Sequence, residues 1–277
     1  MKAAVLGSPI AHSLSPVLHR AAYHALGLTG WTYEAIECDP AGLPALLAAC
    51  GPEWAGLSLT MPLKRAVLPL LDEADPLVGE VGAANTLVFD DGRRHGHNTD
   101  VPGMIAALAE AGVTGHRGGP GWPATVLILG GGATACSALA AAAGLGAARA
   151  TAAVRDPARA ADLLAAARRL GVEVALTSFD APGAAAPDLL ISTVPAGAAD
   201  FFAERIARGA LAPRCLFDVV YHPWPTPLAT AAEDAGVPVV GGFALLLHQA
   251  AYQVALMTGK PPPLAAMRAA GQAALTP

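Results

Sequence analysis

One lysine stands where a predicted strand gives way to a predicted helix. Lys64 follows Thr60-Met61-Pro62 in the stretch LSLTMPLKRAVLPLL (57–71), and it is one of three lysines among the seventeen basic residues of this 277-residue chain. Arginine keeps its proton near neutral pH, whereas lysine can release one when its surroundings favour release. Because Arg65 is next to it, the chain has arginine available where charge alone suffices. Lys64 is therefore a candidate for proton transfer, and a solvated charge on the first turn of a helix is the alternative.

Polar side chains interrupt apolar surroundings at several other points in the first half of the chain. They form four clusters, each where a predicted strand ends or a helix begins: Ser13 and Ser15, Ser58 and Thr60, Asn85-Thr86, and Asn98-Thr99-Asp100. Ligands of open α/β sheets bind at such positions. Structural alternatives are a helix cap for Ser15 and Asp100 and a turn for Asn85. Together the clusters predict a pocket for a small polyhydroxylated acid, with Asp100 as the counter-charge of Lys64.

A glycine cluster follows an apolar stretch in the second half of the chain. In VLILGGGATACSALAA, Gly130 and Gly132 come after a predicted strand and before a predicted helix, and Ala135 completes a G-x-G-x-x-A pattern. Glycines there permit a tight turn and close approach of the backbone to a pyrophosphate, which the helix N-terminus also attracts. A plain strand–helix turn is the alternative, but the context favours a dinucleotide site.

The residues after the next predicted strand bear on the type of dinucleotide. Arg155 and Asp156 are adjacent there. An arginine at this place binds the 2′-phosphate of NADP, whereas an acidic residue binds the ribose 2′-hydroxyl of NAD. Arg155 is nearer the strand, and Asp156 before Pro157 is explained as the cap of the following helix. NADP is therefore favoured, with NAD as the alternative.

Alternating strands and helices are predicted to position these groups. Strands are predicted at 2–7, 31–38 and 55–60, as a hairpin around Asp91-Gly92, and in ATVLILG, RATAAV, DLLISTVP, CLFDVV and VPVVGG. Helices are predicted after the Ser15 cap with Pro16 in the first turn, from Lys64 to about Leu71, and from about Pro102 to Ala111. Continuous apolar strands indicate a parallel sheet covered on both faces, so the fold class is α/β. The glycine- and proline-rich stretch 112–123 predicts a linker near a domain boundary.

The composition excludes several kinds of partner and site. The net charge of −5 argues against nucleic acid and anionic membranes as partners. No apolar run approaches ~20 residues, so no membrane span is expected, and the first residues do not predict a signal peptide. The four cysteines lack metal or redox spacing and the histidines form no H-E-x-x-H motif. We therefore expect no metal site and a reducing, cytoplasmic location.

The ordered motifs of the chain resemble those of the shikimate dehydrogenase family. They are GSPIAHSLSPVLH, SLTMPLK, GAANTL, NTD followed by Gly103, LGGGATA, DVVYHPWPTPL and HQAAYQ. The match runs through nearly the whole chain, and the ordered set is specific although no single motif is. It implies two domains, a substrate-binding α/β domain of residues 1–102 plus 243–277 and an inserted Rossmann-type NADP-binding domain of residues 103–242.

The resemblance also implies a role for each matching residue, with Lys64 and Asp100 as the catalytic pair. The implied substrate-binding residues are Ser13, Ser15, Thr60, Asn85, Tyr221 and Gln249. The implied cofactor-binding residues are Gly130, Gly131, Gly132, Ala133, Arg155, Thr193 and Gly242. Three departures are Ser58, where many members have asparagine, Val154-Arg155-Asp156, where asparagine-arginine-threonine is common, and Leu245, where methionine is usual. The second departure leaves the preference for NADP over NAD open.

These roles imply an NADP-dependent oxidoreductase that interconverts 3-dehydroshikimate and shikimate on the route to chorismate and the aromatic amino acids. A monomer or homodimer with small-molecule partners is expected. Three alternatives stay open: a quinate or aminoshikimate dehydrogenase using NAD or NADP, a related NADP enzyme such as a methylenetetrahydrofolate dehydrogenase, and a non-catalytic NADP-sensing module.

Overall fold

The computed structural model describes residues 1–115, 123–180 and 185–276, and the chain divides into two compact units. Unit 1 contains Met1–Gly103 and Leu246–Pro277, and unit 2 contains Met104–Leu245. Each unit has a six-stranded sheet with helices, so the predicted α/β class with two domains is confirmed. Most of the predicted linker at 112–123 lies outside the described residues. In the part of the chain that is described, no helix is both long and apolar enough to cross a membrane.

Unit 1 alternates strands and helices through its N-terminal part and ends in two helices. Its strands are β1 (Lys2–Gly7), β2 (Thr32–Glu37), β3 (Trp54–Leu59), β4 (Glu73–Ala74), β5 (Thr86–Asp90) and β6 (Arg93–His97). Its helices are α1 (Ser15–Ala25), α2 (Leu43–Ala48), α3 (Leu63–Ala66), α4 (Pro76–Val81), the start of α5 (Asp100–Glu110), most of α10 (Gly242–Thr258) and α11 (Leu264–Leu275).

The mixed direction of the unit 1 strands brings four strand ends to one edge of the sheet. The strand order is β2-β1-β3-β5-β6-β4. β1 is parallel to β2 and β3, whereas β5 is antiparallel to both β3 and β6. The carboxyl ends of β1, β3 and β6 therefore lie at the same edge as the amino end of β5. Thr86 at that end of β5 pairs with Ser58 of β3 and with His97 of β6.

Alternation along the strands separates an apolar face from a face with polar groups. Leu57 and Leu59 of β3 join a buried leucine and valine cluster with residues of α2, α3 and α4. Gly56 and Ser58 point to the other face, where they meet α10. The predicted β5–β6 hairpin is confirmed, because Asp91 and Gly92 both have positive φ, as a two-residue type I′ turn requires.

Unit 2 contains a parallel sheet with the strand order of dinucleotide-binding domains. Its strands are β7 (Thr125–Leu129), β8 (Arg149–Val154), β9 (Glu173–Ser178), β10 (Leu189–Ser192), β11 (Cys215–Asp218) and β12 (Val239–Gly241). Its helices include α6 (Ala133–Gly144), α7 (Ala161–Leu170), α8 (Asp200–Ala207) and α9 (Pro227–Asp234). The order β12-β11-β10-β7-β8-β9 is 3-2-1-4-5-6 when it is read from the opposite edge and numbered within the unit. All neighbours are parallel, as the continuous apolar strands predicted.

The reversal of strand order in unit 2 falls between β7 and β10. Ligands of such sheets bind outside the carboxyl ends of the two strands that flank this point. Gly130 and Thr193 are the residues that follow those two ends. α6 begins at Ala133, shortly after β7 ends at Leu129. Small side chains are buried almost all round α6, so this helix packs closely on the sheet.

Two predicted helix boundaries are wrong. The helix expected from Lys64 to about Leu71 stops at Ala66 and is followed by a 3₁₀ turn at Leu68–Leu70, because Pro69 lacks an N–H donor and disfavours helical geometry before it. Ser15 is the first residue of α1 and not its cap, since Leu14 occupies the cap position. Pro16 does lie in the first turn, as predicted. The sequence analysis does not predict β4, β9 and α8.

A pair of glycine substitutions tests the packing of unit 1. A Cβ at Gly56 would lie 2.7 Å from the Leu87 carbonyl oxygen and 2.9 Å from Met257 Cγ. Over-packing of this kind costs ~1–3 kcal/mol, so Gly56→Ala should lower the free energy of unfolding. Gly79 is exposed within α4, where a Cβ meets nothing within 4 Å. Gly79→Ala should therefore add ~0.5–1 kcal/mol. Urea denaturation followed by circular dichroism measures both, and equal midpoints would contradict the packing argument.

Candidate active site

Most of the predicted polar residues lie at the edge of the unit 1 sheet where the four strand ends meet. In chain order they are Ser13 and Ser15 after β1, Thr60 and Lys64 after β3, Asn85 before β5, and Asp100 after β6. α10 adds Gln249. The sheet topology therefore gathers residues that are far apart in sequence, which a sequence pattern alone cannot show.

Lys64 and Asp100 form a largely buried ion pair. Lys64 Nζ donates a hydrogen bond to Asp100 Oδ2 at 2.6 Å, and the two side chains are 15% and 6% exposed. The backbone fixes Lys64 here, because its carbonyl oxygen accepts a hydrogen bond from Ala84 N at 2.8 Å. α3 has four residues, so Lys64 also lies in its last turn, and a helix dipole explains nothing about this cation. The alternative of a solvated helix charge is wrong.

Asn85 occupies the centre of the polar group. Its Nδ2 donates to Asp100 Oδ1 and to Thr99 Oγ1, each at 2.9 Å, and more distantly to Gln249 Oε1 at 3.4 Å. Its Oδ1 accepts from Thr99 N at 2.8 Å and from Thr86 Oγ1 at 2.9 Å. The side chain is 2% exposed. Asn85 is therefore a junction that holds the second oxygen of Asp100, and not a turn residue.

The backbone of α10 approaches that of α5 closely beside Gln249. A Cβ on Gly103 would lie 2.9 Å from Gln249 N and 3.0 Å from Gln249 Cβ, so only glycine fits this contact. Gln249 Nε2 donates to Leu246 O at 2.9 Å, which directs its Oε1 towards Asn85. The predicted residues Lys64, Asp100, Asn85 and Gln249 are thus brought together.

The three hydroxyl residues of unit 1 that were implied to bind substrate, Ser13, Ser15 and Thr60, lie at the same sheet edge without joining this network. Ser13 Oγ accepts from Ser15 N at 3.3 Å, and Ser15 is 5% exposed. Thr60 packs beside Gly7, where a Cβ would collide with Thr60 Cγ2. The loop that leads to Ser13 is held by Glu37, whose carboxylate accepts from Ser8 Oγ at 2.6 Å and Ile10 N at 3.1 Å. Glu37 was not predicted, because exposed carboxylates on edge strands are common.

His19 holds the first turn of α1 from the interior. Burial lowers the pKa of His19 to about 4, and the hydrogen bond to Ser15 O opposes this only in part. The ring is therefore neutral at neutral pH, and its Nδ1 donates to Ser15 O at 2.9 Å since a carbonyl oxygen can only accept. The His19 ring also stacks on Tyr33, with centroids 3.9 Å apart.

Asp100 does not cap α5. Asn98 does so, because its Oδ1 accepts from Val101 N at 3.2 Å. The cap role that competed with a functional role for Asp100 therefore belongs to another residue, and both carboxylate oxygens of Asp100 are left for side chains.

Gln253 is the main residue of this site that the sequence predictions omitted. It is 1% exposed and hydrogen-bonds Ser58 and Thr86. A signal was present, because Gln253 and Gln249 are four residues apart on an apolar helix and therefore share one face.

In unit 2, the glycine cluster forms an open turn in front of α6. Gly130 has φ +114, and a Cβ there would lie 2.6 Å from Thr193 Oγ1, so the turn requires glycine. Gly132 is the cap residue of α6 and has no side-chain cap, and a Cβ there meets nothing within 4 Å. Backbone N–H groups at such a helix start attract an anion. Gly131 and Ala133 complete the turn and helix start.

Arg155 and Asp156 take different roles after β8. Arg155 is exposed and is the first residue past the strand. Asp156 Oδ1 accepts from Ala158 N at 2.9 Å and caps the 3₁₀ turn that starts at Pro157. The predicted cap role of Asp156 is confirmed.

Tyr221 and Gly242 follow β11 and β12 of unit 2. The segment with Tyr221 is held at both ends by buried Asp218, whose Oδ1 accepts from Val220 N at 3.2 Å and whose Oδ2 accepts from Thr226 Oγ1 at 2.7 Å. Burial raises the pKa of Asp218, and these hydrogen bonds oppose the rise. A Cβ on Gly242 would collide with Val219 O, so glycine is needed there.

The arrangement in unit 1 suits the donation of a proton to a bound oxygen. One N–H of Lys64 is used by Asp100, and an ammonium group has two more to offer. Among the described residues, no group of three or more histidine, cysteine or acidic side chains could hold a metal ion.

Comparison with known proteins gives consistent matches along the chain. Residues 5–87 match the model of the shikimate dehydrogenase substrate binding domain, and residues 242–270 match that of the shikimate 5'-dehydrogenase C-terminal domain. A shikimate dehydrogenase (NADP(+)) of Citrifermentans bemidjiense is 38% identical over 286 aligned positions, covering 99% of this chain and 95% of the relative.

Solved structures resemble the whole chain as well. Shikimate dehydrogenase of Mycobacterium tuberculosis matches with a TM-score of 0.87 and 44% identity, over 98% of this chain and 99% of that one. Shikimate 5-dehydrogenase of Thermus thermophilus, in complex with NADP(H) and shikimate, matches with a TM-score of 0.82 and 32% identity, over 99% and 100% of the two chains.

The ion pair can be tested by stability alone. Lys64→Met removes the cation and leaves the Asp100 carboxylate buried, which costs ~3–5 kcal/mol for a fully buried pair and, with the partial exposure of Lys64, should cost ~1–3 kcal/mol here. Adding Asp100→Asn to Lys64→Met should recover part of the loss. Exposed Lys260→Met is the matched control. Urea denaturation in which the double variant is less stable than Lys64→Met would contradict the prediction.

Proposed function

The chain belongs to the shikimate dehydrogenase family, and from that premise we propose that it catalyses the NADP-dependent, reversible reduction of 3-dehydroshikimate to shikimate. The observation that carries the proposal is the buried Lys64–Asp100 pair, 2.6 Å long, with Asn85 on the other carboxylate oxygen. Reduction of a ketone to an alcohol requires one proton at the oxygen. A lysine and an orienting carboxylate, held largely away from water, can supply and later recover that proton.

Lys64 is the proposed general acid in reduction. Its ammonium group would donate a hydrogen bond to the ketone oxygen and then transfer the proton as negative charge develops there. Asp100 would orient Lys64 through Oδ2, while Asn85 holds Oδ1 and prevents rotation of the carboxylate. In the reverse reaction neutral Lys64 would take the proton from the shikimate hydroxyl. General acid–base help of this kind is typically worth ~10²–10⁴-fold.

The other polar residues are proposed to bind the substrate. Ser13 and Ser15 would hold the carboxylate, with Tyr221 of unit 2 as a further contributor. Thr60, Asn85 and Gln249 would bind ring hydroxyls. The support is that all but Tyr221 lie at one edge of the unit 1 sheet, and that Asn85 and Gln249 already share a hydrogen bond with fixed amide orientation.

The turn before α6 fits the cofactor that the family uses. Gly130, Gly131, Gly132 and Ala133 would hold the pyrophosphate of NADP with backbone N–H groups, and Thr193 and Gly242 would line the same site. The fit is supported by the uncapped start of α6 and by the open space in front of Gly132. When it is bound, NADPH supplies the hydride that the ketone carbon accepts.

Arg155 is proposed to select NADP over NAD. Its exposed guanidinium at the end of β8 suits a 2′-phosphate, and Asp156 is engaged as a cap. We further propose that unit 1 is the substrate-binding domain and unit 2 the NADP-binding domain. A cytoplasmic location is supported by the four cysteines, which are thiols and form no disulfide. The prediction of a monomer or homodimer stays a prediction.

Lys64→Arg tests whether the site needs a proton and not only a charge, and ¹⁵N NMR signals of the Asn85 side-chain amide check that the contact between Asn85 and Asp100 is kept in this variant. Arginine keeps the charge but does not release its proton. Lys64→Arg and Lys64→Ala should therefore each lose ~10²-fold or more in kcat, with shikimate still binding. Asp100→Asn should lose a comparable factor, and the double variant with Lys64→Ala should be little worse than either, because the two residues act as a unit.

The kinetic measurement is the initial rate of shikimate oxidation, with shikimate affinity determined by calorimetry. Arg65→Ala, next to Lys64, is the control for general loss of positive charge. A Lys64→Arg enzyme with near-normal kcat would contradict the proton-transfer role and would mean that Lys64 acts only through its positive charge.

Comparison of substrates and cofactors tests the proposed reaction and the role of Arg155. The wild-type enzyme should oxidise shikimate faster than quinate, and with NADP⁺ better than with NAD⁺. Losing a charge-assisted contact to phosphate typically costs ~1.5–3 kcal/mol, so Arg155→Ala should raise KM for NADP⁺ and leave KM for NAD⁺ nearly unchanged. Faster quinate oxidation would favour a quinate dehydrogenase, and no turnover would favour an NADP-sensing protein. Equal losses with both cofactors would mean that Arg155 acts on folding or on a shared part of the ligand.

A further inference from the structure

Gln253 lies one helical turn beyond Gln249 and is more deeply buried than it. Its exposed fraction is 1%, compared with 8% for Gln249. Gln253 Oε1 accepts from Ser58 Oγ at 2.8 Å, while Nε2 donates to Thr86 Oγ1 at 3.0 Å and to Asn85 O at 3.3 Å. Both ends of the amide are thus paired, and each contact leads to a strand at the site edge. Burying an amide lowers the stability of the fold unless its oxygen and nitrogen are both hydrogen-bonded, as they are here.

The donor and acceptor of each hydrogen bond between Gln253 and Asp100 can be assigned, because several groups along the way can only donate or can only accept. Asn85 O is a carbonyl and can only accept, so Nε2 of Gln253 faces it and the neighbouring Thr86 Oγ1. Thr86 then has its own proton free for Asn85 Oδ1 at 2.9 Å. Since Asn85 Oδ1 also receives Thr99 N, a donor only, Asn85 Nδ2 must face Asp100.

The other end of Gln253 is fixed in the same way. Because Oε1 can only accept, the single proton of Ser58 points to Gln253, and Tyr33 must donate to Ser58 Oγ at 2.6 Å. Tyr33 is 1% exposed and is held by its stack on His19. One chain of donors therefore runs from Tyr33 through Ser58 and Gln253 to Thr86, and on through Asn85 to Asp100.

We infer that Gln253 is a positioning residue for the catalytic pair, acting through Thr86 and Asn85 on the Asp100 carboxylate. It sets the proton of Thr86 towards Asn85 and anchors the Asn85 carbonyl, and together with the hydrogen bond from Thr99 N it keeps the Asn85 amide directed at Asp100 Oδ1. Ser58, where many family members have asparagine, belongs to this chain as the donor to Gln253. The kinetic consequence of this inference rests on the proposed function, whereas its structural consequence does not.

Gln253→Glu is the discriminating variant. It keeps the shape and the acceptor for Ser58 but places an oxygen where Nε2 donated to Thr86 and to Asn85 O. The Thr86 proton should turn to the new carboxylate and leave Asn85. Gln253→Met removes both functions, and Thr86→Val removes the intermediate hydroxyl at nearly constant volume. Gln272→Met, at an exposed glutamine of α11, is the matched control.

The kinetic readout is kcat per folded molecule, with the folded fraction taken from circular dichroism. Small displacements of catalytic groups can cost up to about 10²-fold, so Gln253→Glu and Gln253→Met should each lose about 10-fold in kcat while KM for NADP⁺ stays unchanged. Thr86→Val should give a similar loss, and its combination with Gln253→Met should be no worse than either. Gln272→Met should match the wild type. A normal kcat per folded molecule in both Gln253 variants would reduce Gln253 to a structural role and overturn the inference.

A second readout does not depend on turnover. The side-chain amide of Asn85 can be followed by ¹⁵N NMR, and its two protons should shift in Gln253→Glu and Gln253→Met but not in Gln272→Met. Unchanged Asn85 amide signals would overturn the inference even if the enzyme were active. Shifted signals in a protein that does not oxidise shikimate would support the positioning role and reject the proposed function, so the two failures are distinguishable.

Discussion

The buried carboxylate of Asp100 is the constraint on which the polar part of unit 1 depends. Each of its oxygens receives one donor, Lys64 Nζ on Oδ2 and Asn85 Nδ2 on Oδ1. Asn85 is itself buried and needs donors for its own oxygen, which Thr86 and Thr99 supply. A buried polar network with unpaired groups is less stable than an apolar core. A buried carboxylate is therefore stable only when its neighbours are polar and their donors point towards it. The network ends at Tyr33, whose hydroxyl donates to Ser58 and needs no further donor of its own.

The mixed sheet of unit 1 and the parallel sheet of unit 2 present different kinds of groups to ligands. In unit 1 the antiparallel strands β5 and β6 bring Asn85 and Asp100 to the carboxyl ends of β1 and β3, so the edge is lined with side chains. In unit 2 all neighbours are parallel, and the point between β7 and β10 offers backbone N–H groups at a glycine turn. Side chains can recognise the hydroxyl and carboxylate groups of a ligand because each is placed opposite one of those groups. Backbone N–H donors bind a pyrophosphate regardless of the rest of the ligand.

The sequence predicts best where one local rule acts alone. The continuous apolar strands of unit 2 and the Asp91-Gly92 hairpin are confirmed because burial on both faces and positive φ each leave a direct pattern. The helix after Lys64 was predicted too long because Pro69 outweighed the apolar periodicity. For Gln253 the helical spacing from Gln249 indicates a shared face, but its partners Ser58 and Thr86 are more than 160 residues away in sequence, so its contacts could not be predicted. Sheet topology creates that contact, and no local pattern records it.

The same geometry explains why a lysine suits position 64 better than the arginine beside it. An arginine fork favours bidentate contact with both oxygens of a carboxylate. At Asp100 it would compete with Asn85 Nδ2 for Oδ1, and a displaced Asn85 would leave Thr86 and Thr99 without their shared acceptor. A lysine is a point donor that takes Oδ2 and leaves Oδ1 to the amide. The choice of cation is therefore set by the number of donors that the carboxylate already has, in addition to any need to pass on a proton.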